Sequence, residues 1–71
     1  MNEDELTKKK LEFFKLNDFS IHLERTDERF FNGKVLEIAS DHFILDDEKI
    51  GALPIYFMEI KFFERRRPKP Q

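Results

Sequence analysis

Residues 19–38 read FSIHLERTDERFFNGKVLEI. Phe19, Ile21 and Leu23 alternate with Ser20, His22 and Glu24, a period of two that belongs to a half-buried strand. RTDER (25–29) supplies a polar turn, and a second strand follows over about 29–39. Its apolar phase slips part-way. Phe31, Gly33 and Val35 share one face, whereas Leu36 and Ile38 share the other. Gly33 stands near the slip, where a glycine inside a strand marks a bulge or a sharp bend. A bent second strand curls a short sheet toward a barrel.

Upstream the period is 3.6. Asn2 is a good helix N-cap, Glu5 stands three residues on, and the helix runs over 3–16. Glu3, Asp4 and Glu5 complement the positive end of its dipole, and Lys15 lies in its last turn. Leu6, Leu11, Phe13, Phe14 and Leu16 spread over one broad face. That face is expected to close an open end of the barrel, with Leu6, Phe13 and Phe14 packed on it. Asn17-Asp18 ends the helix.

Downstream, ASDH (39–42) turns the chain into FILDD (43–47), and DDEKIG (46–51) turns it again, with Gly51 suited to positive φ. LPIYFM (53–58) reads as a fourth strand in which Leu53, Ile55 and Phe57 oppose Pro54, Tyr56 and Met58. IKFFE (60–64) is the fifth, after a tight turn near Met58-Glu59. Pro54 gives no backbone donor and so belongs at a strand start or on an edge. One helix followed by five short strands without crossover helices predicts a mainly β domain: a strongly bent, five-stranded antiparallel barrel of SH3-like form spanning 1–64. RRRPKPQ (65–71) has nothing apolar to bury and is expected to form a disordered basic tail.

The chain has 71 residues, enough for one domain with a small core. It has no cysteine, so neither disulfides nor a thiolate metal site can stabilise it, and oligomerisation is the remaining device. No segment has the ~20 apolar residues of a membrane span. MNEDELTKKK is too charged for a secretory leader, so the expected location is cytoplasmic with no membrane contact. The charge is divided. Of 13 basic residues, Arg65, Arg66, Arg67 and Lys69 fall in the tail, which leaves an acidic body carrying all 15 Asp and Glu. There are also nine Phe, more rings than a barrel this small can hold inside.

IHLERTDERFFNGKVLEIASDHFILDD (21–47) resembles the first motif of the Sm-like (LSm) family, and IYFMEIKFFE (55–64) is similar to its second in pattern. The resemblance implies a small β-barrel that joins the fourth strand of one subunit to the fifth of the next, closing a homo-oligomeric ring. It also implies single-stranded RNA as a ligand of the loop after the bent strand. Asp41 and His42 are the nearest counterparts there, in a loop shortened to ASDH. Met58-Glu59 replaces the family's Arg-Gly before the last strand, and the Glu opposes phosphate.

Candidate chemistry is sparse. His22 and His42 have no clustered partners, and read as surface histidines better than as metal ligands or bases. Asp46, Asp47 and Glu48 lack the ligand alternation of a calcium loop and read as a solvated turn. No catalytic, cofactor or metal motif is present, so no enzyme activity is expected. Asp41, His42, Arg65, Arg66, Arg67 and Lys69 are the candidate nucleic-acid contacts. Phe62 or Phe63 is near enough to the arginines to stack a base. The apolar surplus of residues 50–63 points to an assembly surface on Tyr56, Met58, Phe62 and Phe63. Two function classes stay open: a nucleic-acid-binding ring, and a protein-interaction or scaffold module without a nucleic-acid ligand.

Overall fold

The computed structural model describes residues 2–67. The helix α1 spans Glu3–Leu16 and is followed by strands β1 (Ser20–Arg25), β2 (Phe30–Ile38), β3 (His42–Asp47), β4 (Gly51–Tyr56) and β5 (Ile60–Arg65). A single 3-10 turn, Phe57–Glu59, joins β4 to β5. All strand pairs are antiparallel, in the order β4-β3-β2-β1-β5.

The sheet is not closed into a barrel: β4 and β5 are its two edges and do not pair. It is nevertheless strongly curled. A flat sheet would hold strands at its two edges about 19 Å apart, and a three-residue 3-10 turn rises only about 6 Å. The turn is tied at both ends, by the Phe57 N–H to the Asp41 carbonyl (3.0 Å) and by the Thr26 N–H to the Glu59 carbonyl (2.8 Å).

The bend has two sources. At Gly33 an added Cβ would lie 1.9 Å from the backbone oxygen of Asp46, so β3 approaches β2 more closely there than any side chain allows. The bulge itself lies between Val35 and Glu37, at the slip in apolar phase just past Gly33. Leu36 is its extra residue and is exposed, while Ile38 returns to the core. The β1–β2 turn places Glu28 at φ 67°, the left-handed position that closes a three-residue hairpin loop.

Helix α1 begins as expected, with the Asn2 side chain accepting the Glu5 N–H at 2.8 Å. It ends in a Schellman motif. Asp18 is left-handed (φ 54°), its N–H donates to the Lys15 carbonyl, and the Phe19 N–H reaches back to Phe14 at 2.9 Å. The hydrophobic contact of that motif is the Phe14–Phe19 ring pair, centroids 6.4 Å apart.

The helix covers the sheet with a narrower stripe than its apolar composition suggested. Leu11 and Phe14 are buried with Ile21, Leu23, Val35, Phe43, Leu45 and Ile55. Leu6 and Phe13 are each 56% exposed and Leu16 is 86% exposed. Leu11 and Phe14 are three residues apart on one line of the helix, and the short sheet offers surface to that line alone.

Candidate functional site

The arginine segment is built into the sheet rather than hanging from it. Arg65 is the last residue of β5, and its guanidinium carbon lies 3.7 Å from the Phe19 ring centroid. The Arg66 N–H donates to the Ser20 carbonyl at 2.8 Å, and its guanidinium pairs with Glu48 in the β3–β4 turn. The sequence assigned both residues to a disordered tail. Backbone pairing with β1 and the acidic turn opposite hold them instead. Arg67 lines an open groove with His22, Asn32, Glu64, Arg65 and Arg66. Lys69 lies outside the described residues.

Beside this groove, the sheet face away from α1 carries two cross-strand rows. Phe62, Glu24 and Phe30 form one, and Glu64, His22 and Asn32 form the other. The His22 ring stacks on Phe30 (5.4 Å between centroids, 19° between planes) and lies 6.1 Å from Phe62. Its Nδ1 is 2.8 Å from Asn32 Oδ1, a contact that anchors the ring. Glu24, between the two phenylalanines in its row, is only 9% exposed, with Lys61 Nζ 3.3 Å from its Oε2. Three rings thus share one outer surface, and of these His22 lines the groove with Arg66 and Arg67. Of these rings the sequence points only to Phe62, which it offers alongside Phe63. Phe30 and His22 are brought to it by register, and no local periodicity reports that.

Asp41, in the β2–β3 turn, and His42, the first residue of β3, lie elsewhere, three strands across the sheet from the arginines. His42 Nδ1 is 2.7 Å from Asp41 Oδ1, and its ring centroid is 5.1 Å from that of Tyr56. One protomer therefore does not combine this turn and the arginines in a single patch.

Asp47 is not a solvated turn residue. It is buried, and its carboxylate accepts the N–H groups of Asn32 (3.0 Å), Lys49 (2.9 Å) and Ile50 (3.2 Å). Burial pushes its pKa up, but the three backbone donors outweigh this and hold it below the ordinary aspartate value. In the β1–β2 turn, the Arg25 side-chain hydrogen bond holds Asp27 low as well. Among the described residues no three His, Asp or Glu side chains converge on a point that could hold a metal ion, and no helix is long and apolar enough to cross a membrane.

Of the residues expected at an assembly surface, Tyr56 (41% exposed), Met58 (89%) and Phe62 (42%) are open. Phe63 is partly buried against the core, edge-on to Phe14 with centroids 6.2 Å apart. Lys10 of α1 reaches the same edge: its Nζ donates to the Phe63 carbonyl at 3.3 Å and stands 4.6 Å from the Phe63 ring centroid. A groove lined by Leu6, Thr7, Lys10 and Phe63 runs along this side of β5. Comparison with family models and with curated proteins finds no match to this chain.

Proposed function

We propose that the domain is a non-enzymatic assembly module of Sm-like type, in which β4 of one copy pairs with β5 of the next and the copies close into a homo-oligomeric ring. The supporting observation is the open sheet. Two six-residue edges, β4 and β5, lie at opposite ends of the strand order, each with apolar side chains beside its free backbone. Unpaired edges of this kind recruit another strand, and two different edges meeting head-to-tail give a heterologous contact that closes when the rotation allows. Light scattering coupled to gel filtration is the test. A discrete oligomer at low micromolar concentration supports the proposal, and a monomer at every accessible concentration overturns it.

A second reading is favoured by the outer-face rings: binding of single-stranded nucleic acid. His22, Phe30 and Phe62 present stacking surfaces on one face, and His22 lines a groove with Arg66 and Arg67; rings with cations nearby are what sequence-tolerant single-strand binders use. Stacking on one aromatic is worth about 1–3 kcal/mol per base. Anisotropy titrations with labelled oligouridylate and oligoadenylate should therefore show Phe30→Ala and Phe62→Ala each weakening binding by about fivefold or more. Replacing Arg66 and Arg67 by Ser should flatten the salt dependence by about 0.7 in log–log slope for each phosphate that is no longer neutralised. Absence of binding at low salt would leave the scaffold or protein-interaction role standing alone.

A further inference from the structure

We infer that the β4–β5 junction between copies has one register, with Pro54 of one copy opposite Phe63 of the next, and that Lys10 of the second copy supplies the hydrogen bond the proline cannot give. This rests on the assembly proposed above and specifies how its two edges fit.

The free edges can be read from the bonds on their paired sides. The Phe57 N–H donates to the Asp41 carbonyl, in line with the β3–β4 register, so residues 53, 55 and 57 turn their backbone groups toward β3. Residues 52, 54 and 56 then face the open edge, and at its centre Pro54 has no N–H. On β5 the Arg66 N–H donates to Ser20, so residues 62, 64 and 66 face β1 while Phe63 and Arg65 face outward. The outward Phe63 carbonyl is already occupied by Lys10 Nζ at 3.3 Å.

Each edge therefore has one defect, a missing donor on β4 and a filled acceptor on β5. Facing residues of an antiparallel pair exchange two hydrogen bonds. With Pro54 opposite Phe63, one bond remains to be made, from the Phe63 N–H to the Pro54 carbonyl, and Lys10 makes the other. Ala52 and Arg65 then form a complete pair. A slip of two residues aims a second donor at the filled Phe63 acceptor and sets Pro54 against a carbonyl with no donor. The fitted register also turns Pro54 and the exposed Tyr56 toward the side of β5 where Leu6, Thr7 and Lys10 line the groove.

The cysteine-free chain suits a direct test. Leu53 and Glu64 become a directly opposed, non-hydrogen-bonded pair with Cα atoms about 4.5 Å apart, within disulfide reach. Leu53 and Phe62 become a diagonal pair about 8 Å apart, out of reach. On mild oxidation, a mixture of the single variants Leu53→Cys and Glu64→Cys should give the mixed dimer, and Leu53→Cys with Phe62→Cys should not. Lys10→Met should weaken assembly about tenfold in a dilution series. Pro54→Ala should restore it in the Lys10→Met background, yet change little where Lys10 is intact. An oligomer that crosslinks through the diagonal pair, or whose Lys10→Met defect Pro54→Ala does not rescue, overturns the register and leaves the assembly in place. A monomeric wild type overturns both.

Discussion

Replacing Asp47 by Ala should be among the most costly polar substitutions in this domain. The side chain is 8% exposed, and its two oxygens accept three backbone N–H groups at 2.9–3.2 Å. The donor of Asn32 lies within β2 and is left partly buried without a partner, at a cost of about 1–3 kcal/mol. Those of Lys49 and Ile50 lie in an exposed turn where water substitutes, so about 0.5 kcal/mol each is reasonable. The sum is about 2–4 kcal/mol, which for a domain of this size lowers Tm by roughly 8–30 °C. Melts followed by circular dichroism at pH 7 and fixed protein concentration measure it. The pH dependence has a definite sign. The folded pKa of Asp47 lies below the ordinary value of 3.8, so its stabilisation is complete above that value and is lost as pH falls through the folded pKa. The gap between wild type and Asp47→Ala should stay constant from pH 7 to about pH 5 and narrow only in stronger acid. Asp47→Asn keeps one acceptor and should lose less, with no acid titration of its own. A loss under about 0.5 kcal/mol for Asp47→Ala at pH 7 would refute this account of the turn.

Other substitutions separate the features of the fold. Gly33→Ala sets a methyl against the Asp46 backbone and should cost about 3 kcal/mol or more in urea unfolding, because two strands must part. Phe14→Ala should cost about 3–5 kcal/mol, whereas Phe13→Ala, on the exposed side of α1, should cost about 1 or less. Glu28→Gly relieves a left-handed backbone and should raise stability by about 0.5–1 kcal/mol, read as a higher Tm.

The fold was legible where the signal is local. The Asn2 cap, the stop at Asn17-Asp18, the positive φ of Gly51 and the alternation through β1 and β4 each lie within a few residues of sequence. The bulge shows in the sequence as the phase slip after Val35, and Leu36 is the residue that it ejects to solvent. The burial of Asp47 was missed because an acidic turn looks the same whether its carboxylate faces water or a row of backbone donors. The ring surface of His22, Phe30 and Phe62 depends on two registers, one of which sets Glu24 opposite Phe62, far along the chain. The tail misled in a similar way. A run of arginines carries no apolar pattern, and nothing local reports that Arg66 pairs with Ser20 and Glu48.

The position of β5 sets the order in which this domain can be completed during synthesis. Strands β1 to β4 form successive hairpins and can pair as they emerge, but the outer edge of β1 waits for a partner that begins 35 residues after β1 ends. At about 5–20 residues per second the nascent chain spends several seconds with that edge bare. Throughout that interval Phe14 lacks the covering Phe63 ring, and Lys10 has no carbonyl to hold. Chains growing side by side on one message are thus exposed to mispairing at β1, the edge that the finished protein hides, and slower translation beyond residue 56 should raise the yield of such aggregates.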